Sequence, residues 1–184
     1  GSKPPGGVWL HQYAVDLARS PDGRWWAIAD RAQAPSGAGY ALENRLIISR
    51  VFPEMFRDLG VQHLADFFRD QQEGLAALAP LDAEEQPHIV LLTPGPYNEA
   101  YFEHAYLANY LGFQLVQGGD LTVRNGRVWL KSLNGLSEVD VILRRMDDAY
   151  CDQTELRADL DRDAMARLGL NPGDANAAIQ AAFG

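Results

Sequence analysis

Apolar and polar positions in the first 80 residues predict a β-hairpin followed by helices. Residues 8–18 and 24–30 are rich in β-branched and aromatic side chains, and a Ser-Pro-Asp-Gly turn joins them. Apolar residues then recur with helical spacing over 41–59. Pro53 predicts a break in this helix, because proline lacks the N–H group and clashes with the preceding turn. A second helix is expected over 65–78.

The second half of the chain has the pattern of a strand–helix–strand unit followed by a hairpin. Residues 88–93 are almost continuously apolar, which is typical of a buried parallel strand. A loop and a helix follow, and Gly112 is a favourable stop before the next strand. An Asn-Gly pair at 125–126 is a strong hairpin signal, and residues 139–144 predict another buried strand. The sequence therefore predicts an α/β protein in two small lobes, with the acidic, proline-bracketed segment 81–87 as their linker.

Composition narrows the classes of function. The 184 residues include 16 Lys and Arg but 25 Asp and Glu, for a formal net charge of −9. A general nucleic-acid binder needs a basic face to displace counterions, so we expect no nucleic-acid partner. No apolar run approaches the roughly 20 residues that span a bilayer, so we expect no membrane partner. The single cysteine, Cys151, excludes an internal disulfide and fits a reducing, cytoplasmic location.

Two aspartates at strand ends are candidate metal ligands. Asp16 lies late in the first hairpin strand, and Asp30 ends the second strand where it meets a glycine-rich loop. Mg²⁺ commonly takes one or two carboxylates together with phosphate oxygens, so these side chains suit the ion. The alternative interpretation, which spacing alone favours, is that both are solvated strand-end residues.

The glycine-rich loop and the helix after it form a candidate anion site. Gly37 and Gly39 would let the backbone approach a ligand closely, and N–H groups at a helix start favour anions. Arg45 could bind a carboxylate or phosphate through two parallel hydrogen bonds. An ordinary turn with a capped helix would explain the glycines, but it explains Asn44 and Arg45 less well.

Polar residues also follow two of the predicted buried strands. Those after the strand at 139–144 are Arg144, Arg145, Asp147 and Asp148. Ligands of open α/β sheets bind at the carboxyl ends of strands, so this group could position an anionic substrate or nucleotide, or else form a surface salt-bridge cluster. Glu99 follows the strand at 88–93, and it or Asn98 could simply cap the next helix. His104, inside that helix, is expected to be a packing residue.

Four segments carry a resemblance to one family. They are VWLHQYAVDLARSPDGRWW, DRAQAPSGAGYALENR, VLLTPGPYNEAYFEHAYLANYLGFQLVQGGDLTVRNGRVWLKSLNG and VDVILRRMDDAYCD. In this order, over roughly residues 7–157, they resemble the circularly permuted ATP-grasp proteins. Some of those proteins are described as glutathionylspermidine-synthase-like or carboxylate–amine ligase-like.

The resemblance implies an ATP-dependent carboxylate–amine ligase. ATP would phosphorylate a carboxylate, an amine would attack the acyl phosphate, and Mg²⁺ would neutralise the phosphates. The implied cofactors are ATP and Mg²⁺, and the implied partners are small-molecule or peptide carboxylate and amine substrates. Asp16 and Asp30 fall in the metal-binding hairpin. Catalytic positions in the loop and the following helix would be Arg31, Ser36, Gly37, Asn44 and Arg45. Substrate-binding positions on the second lobe would be Glu99, Arg144, Arg145, Asp147 and Asp148.

The resemblance also divides the chain. Residues 1–80 correspond to a β-hairpin-plus-helices part of a permuted ATP-grasp catalytic domain, 88–158 to a pre-ATP-grasp-like βαβ lobe, and 159–184 to a divergent helical tail.

The chain departs from the family pattern in two respects. Ala29-Asp30-Arg31 stands where other branches have Glu-x-Asn, so two usual metal ligands are missing. The ATP-clamping half would follow this region, and Gly1-Ser2 resembles a remnant of tag cleavage, so we expect a piece of a longer protein that is inactive alone. A non-catalytic binding or scaffold module is the rival interpretation. Apolar surface left exposed would favour a homodimer.

Overall fold

Eight strands and four α-helices make up the regular part of the described residues. The structure, a computed structural model, describes residue 4, residues 7–83 and residues 86–146. In chain order the first elements are β1 (Ala14–Arg19), β2 (Trp25–Arg31), α1 (Ala38–Val51), α2 (Pro53–Asp58), α3 (Ala65–Ala76) and β3 (Ile89–Leu92). The later ones are α4 (Tyr101–Leu111), β4 (Gln114–Val116), β5 (Leu121–Arg124), β6 (Arg127–Ser132), β7 (Gly135–Val139) and β8 (Val141–Arg144). Asp147, Asp148 and the predicted tail at 159–184 lie outside the described residues.

The N-terminal hairpin forms as predicted, but its first strand is shorter. β1 and β2 pair antiparallel, and a turn closed by the bond from the Gly23 N–H to the Ser20 carbonyl joins them. The prediction began at residue 8, whereas β1 begins at Ala14. The reason is that Ala14 pairs with Arg31, the last residue of β2, so the preceding residues have no strand opposite them. β2 is exposed along its whole length.

The helices of the first half break where proline predicted. Phe52 is not helical, and Pro53 is the first residue of α2, a position at which its missing N–H is not needed. α3 follows over nearly the predicted range. None of the helices in the described part of the chain is both long and apolar enough to cross a membrane.

The predicted βαβ unit forms a three-stranded parallel sheet in the order β4-β3-β8. All four residues of β3 are buried in this sheet. α4 connects β3 to β4 and ends at Gly112, whose φ of 71° is the left-handed conformation that glycine adopts without steric cost. This confirms the mixed α/β class.

A second, antiparallel sheet has the order β5-β6-β7. Its β5–β6 turn contains Asn125 and Gly126 at φ values of 53° and 74°, as a tight hairpin turn requires. The single strand predicted at 139–144 is wrong, because the chain changes sheets at Asp140. Val139 ends β7 in the antiparallel sheet, and Val141 begins β8 in the parallel sheet.

One hydrophobic cluster joins the two halves of the chain. It contains Leu42 of α1, Phe68 of α3, Leu91 of β3 and Leu107 of α4, each at most 2% exposed. Fully burying such a side chain contributes about 1.5–3 kcal/mol. This packing fixes the start of α1 against the start of α4, which sets the geometry of the site. The division into lobes around 81–87 stays a prediction.

Candidate functional site

A cleft of about 450 Å³ opens between the loop after β2, the start of α4 and the end of β8. Its volume lies within the range of small-molecule sites, roughly 300–1,000 Å³. Five residues proposed from the sequence line it: Asp30, Arg31, Ser36, Glu99 and Arg145. The fold therefore brings together residues of both halves of the chain.

The loop that forms one wall of the cleft has an unusual backbone. Ala34, which lines the cleft, has a φ of 37°. A positive φ is uncommon for a residue with a Cβ atom, and such sparsely populated conformations cost about 1–3 kcal/mol. Gly37, at the N-terminus of α1, has a φ of 110° that only glycine adopts readily. The surroundings must hold this loop in place.

Glu103 of α4 holds the loop through its backbone N–H groups. Its side chain is fully buried. The Gly37 N–H donates to both carboxylate oxygens at 2.8 and 2.9 Å, and the Gly39 N–H donates to Oε1 at 2.9 Å. The amides at the start of α1, which the sequence suggested as an anion site, are thus bound by a carboxylate of the protein itself. Gly37 does not line the cleft, and its predicted role of facing the transferred phosphate stays a prediction.

Arg145 holds the same loop through a carbonyl group. It is 3% exposed, and its Nη2 donates to the Pro35 carbonyl at 2.6 Å. Its Nη1 donates to Gln12 Oε1, also at 2.6 Å. Among the described residues its Nε has no hydrogen-bond partner. Burial lowers the pKa of Arg145, and the nearby charge of Glu103 opposes that shift.

His104 adds a neutral group to the cleft wall. Its Nδ1 lies 2.9 Å from the Thr93 hydroxyl, and its side chain is buried. Burial, and to a smaller extent the charge of Arg145, lower the pKa of His104 to about 4, and the adjacent Glu103 opposes both effects. The imidazole is therefore uncharged near neutral pH. His104 is buried as expected, but its position on the cleft was not predicted.

The sequence matches the family model described as circularly permuted ATP-grasp type 2 over residues 1–165. The chain belongs to this family. The resemblance proposed from the four sequence segments is thereby confirmed, and the family is one of ligase-like proteins.

Relatives in this permuted ATP-grasp family are similar along most of the chain. The uncharacterized protein Rv2567 of Mycobacterium tuberculosis is 43% identical over 170 residues, which are 92% of this chain and 18% of the relative. The uncharacterized protein sll0335 of Synechocystis is 42% identical over 159 residues, 86% of this chain and 33% of the relative. The uncharacterized protein ML0605 of Mycobacterium leprae is 41% identical over 159 residues, 86% of this chain and 28% of the relative. The chain thus spans at most about a third of the length of these relatives.

The two candidate metal ligands of this ATP-grasp chain do not lie together. Asp16 accepts hydrogen bonds from Arg31, the shortest of which is 2.8 Å long. These bonds lower the pKa of the Asp16 carboxyl. Asp30 accepts a hydrogen bond from Tyr13. Neighbouring strand residues point to opposite faces, and Asp16 pairs with Ala29, so Asp16 and Asp30 lie on opposite faces of the hairpin.

A metal site shared by these two aspartates therefore does not fit the geometry. Of the two, only Asp30 lines the cleft. Within residue 4, 7–83 and 86–146, no three His, Cys, Asp or Glu side chains form a group that could hold a metal ion.

Three other predicted site residues lie away from the cleft lining. Asn44 is exposed on α1, nearly two turns beyond the loop, and Arg45 donates to the Gln62 carbonyl after α2. Neither residue lines the cleft, and their catalytic role stays a prediction. Arg144 ends β8, is half-buried and has contacts of its own. Asp147 and Asp148 lie outside the described residues.

Proposed function

We propose that this chain is part of an ATP-dependent carboxylate–amine ligase of the permuted ATP-grasp type. The observation that carries the proposal is the convergence of Asp30, Arg31, Ser36, Glu99 and Arg145 on one cleft in a chain of this family. In the proposed reaction, ATP phosphorylates a carboxylate, an amine attacks the acyl phosphate, and inorganic phosphate leaves. The identity of both substrates is left open.

The cleft offers each substrate a chemically suitable partner. Arg31 would meet carboxylate or phosphate oxygens, for which the guanidinium group is well shaped, and the buried Arg145 would add positive charge from the cleft wall. The Ser36 hydroxyl is exposed to the cleft and would donate a further hydrogen bond. Asp30 and Glu99, both exposed on the rim, would attract a protonated amine. The neutral His104 completes the wall without adding charge.

ATP and Mg²⁺ are the cofactors that ATP-grasp proteins generally use. We propose that ATP is clamped by a part of the longer protein outside this chain, since the chain spans only 18–33% of its relatives. Among the described residues only Asp30 of the predicted pair lines the cleft, so we derive no step through a metal held by this chain.

The rival function is a non-catalytic binding or scaffold module. One observation favours it: Arg31 forms an exposed ion pair with Asp16 where other branches of the family have metal ligands. The positive charge of Arg31 and the engagement of Asp16 would both weaken metal binding there.

The experiment is to measure magnesium-dependent ATP binding and ADP release with the longer protein, with and without mixtures of candidate carboxylates and amines. We expect turnover by the longer protein, none by the 184-residue chain alone, and a loss of about tenfold or more in Asp30→Asn, because residue 30 would no longer attract the protonated amine. Asp22→Asn is the matched control, because Asp22 lies in the β1–β2 turn and is exposed. No magnesium-dependent ATP binding by the longer protein, or ATP binding without ADP release in any of these mixtures, would favour the scaffold module.

We further propose a cytoplasmic location and a homodimer. The single cysteine fits a cytoplasmic protein. The exposed aromatic and aliphatic side chains of the hairpin fit a homodimer.

A further inference from the structure

The turn between the cleft loop and α1 is held from two sides by buried charged side chains. Glu103 accepts the N–H groups of Gly37 and Gly39, and Arg145 donates to the carbonyl of Pro35. Ser36 lies between these attachments and is exposed to the cleft. The exposed serine is thus flanked on both sides by backbone groups that cannot shift independently.

The cost of burying the Glu103 carboxylate indicates that its position matters. Glu103 is fully buried and forms no ion pair with any of the described residues. Three hydrogen bonds from backbone N–H groups and the positive end of the α1 dipole stabilise its charge instead. Apolar residues in place of buried charges are often as stable or more so. Packing alone therefore does not account for a carboxylate here.

We propose that Glu103 is a positioning residue of the cleft: its buried carboxylate fixes the Pro35–Gly39 turn so that Ser36 faces the bound substrate. Glu103 itself does not line the cleft and so acts through the turn. The proposal rests on the proposed ligase function for its effect on turnover. Its effect on the turn is independent of any reaction.

The chain offers a matched control for the loss of this contact. Tyr106 of α4 donates a hydrogen bond to Glu43 Oε2 of α1 at 2.7 Å. This bond also ties α4 to α1, but it lies away from the cleft. Tyr106→Phe should weaken the same helix pair without disturbing the turn. Glu103→Gln keeps the shape of the side chain but replaces one acceptor oxygen with an NH₂ group that faces N–H donors.

The first measurement is amide hydrogen exchange and amide chemical shift in the 184-residue chain. In Glu103→Gln we expect the Gly37 and Gly39 amides to exchange about tenfold faster or more and the Ser36 signal to shift. Tyr106→Phe should leave all three signals unchanged. If Glu103→Gln does not fold, Gly39→Ala displaces the same carboxylate and should give the same signature. Wild-type signals for the turn in the folded variant would overturn the proposal.

The second measurement is steady-state turnover by the longer protein. We expect Glu103→Gln to lower kcat about tenfold or more while the KM for ATP stays unchanged, and Tyr106→Phe to change neither. Equal losses in the two variants would show a merely structural role and overturn the proposal. If the wild-type protein has no ATP turnover, the ligase function fails, and the exchange measurement still decides whether Glu103 fixes the turn.

Discussion

Replacement of Gly39 with alanine tests the contact on which the cleft loop depends. A Cβ atom at Gly39 would lie 2.7 Å from Glu103 Cγ and 3.3 Å from Leu107 Cγ. Carbon atoms pack best at about 3.5–4.0 Å, so the Glu103 side chain would have to move. It is fully buried, and both of its carboxylate oxygens are bound by backbone N–H groups. Movement must therefore lengthen those hydrogen bonds.

Two opposing effects determine how much Gly39→Ala changes the free energy of unfolding. Within a helix, alanine is favoured over glycine by about 0.8–1.0 kcal/mol, and Gly39 belongs to α1. Overpacking a core costs about 1–3 kcal/mol, and a hydrogen bond to a charged group contributes about 1.5–3 kcal/mol. Overpacking and the weaker hydrogen bonds to Glu103 together outweigh the helix preference for alanine. We therefore expect Gly39→Ala to lower the free energy of unfolding by about 2–3 kcal/mol. For a chain of this size that corresponds to a fall in Tm of about 5–10 °C.

The assay is urea unfolding of the 184-residue chain, monitored by circular dichroism. The dependence of the free energy of unfolding on urea concentration is compared between variants. Gly74→Ala is the control, because Gly74 lies in α3 and its added Cβ would meet nothing within 4 Å. Its stability should stay unchanged or rise by up to about 1 kcal/mol. In a Glu103→Ala background the close contact with Glu103 is gone, so Gly39→Ala should be neutral there.

Two results would refute this reasoning. If Gly39→Ala is as stable as Gly74→Ala, the contact with Glu103 does not restrict residue 39. If the effects of Gly39→Ala and Glu103→Ala add in the double variant, the two residues are not coupled, since contacting residues deviate from additivity by about 0.5–3 kcal/mol.

Two further predictions concern the pH dependence of stability and the oligomeric state. The pKa of His104 is about 6.5 in the unfolded chain and about 4 in the folded one. Because the folded chain favours the neutral form, His104 contributes stability that is complete above pH 6.5 and is lost as the pH falls towards 4. Between pH 7 and 4.5, the free energy of unfolding in urea should fall by about 2–3 kcal/mol less in His104→Gln than in the wild type. Equal falls in the two proteins would contradict the lowered pKa of His104. Trp26 and Ile28, two large apolar side chains of β2 that are 58% and 67% exposed, predict a homodimer by sedimentation. Trp26→Ser should dissociate the dimer. Tyr97→Ser is the control and should not dissociate it, because Tyr97 is a fully exposed aromatic residue outside the hairpin. A wild-type chain that is monomeric at every concentration would refute the prediction.

Features with a local physical cause could be predicted from the sequence. Pro53 breaks the first helix because the effect of proline acts on the preceding turn. Gly112 ends α4, and the Asn125-Gly126 pair closes a hairpin, because both require positive φ values. The rule that parallel strands present their carboxyl ends at one edge applies to β3 and β8, whereas the approach of the loop after β2 depends on packing between distant elements.

The role of Glu103 could not be predicted, because it depends on two helices that are distant in sequence. A glutamate in the first turn of α4 has the pattern of an ordinary partner for the dipole of its own helix. Its carboxylate instead binds the start of α1. The sequence carried no signal for it: Gly39 was predicted in the loop before the helix at 41–59, whereas the structure places it inside α1, where glycine is costly unless something packs closely against it. The structure shows that this close neighbour is Glu103.

The attachments of the loop imply that the cleft responds to substitution as a unit. Arg145 binds Gln12 and the Pro35 carbonyl, and Glu103 binds the Gly37 and Gly39 N–H groups of the same turn, so neutral groups hold both buried charges. Loss of one member leaves a buried charge or a buried acceptor without its partner, and that cost exceeds the contribution of the bond itself. The geometry presented to a substrate therefore depends more on these contacts with the backbone than on the exposed charges at the rim. For this reason we expect substitutions of Arg145 and Glu103 to be non-additive, whereas substitutions of the exposed Glu99 should add independently to either.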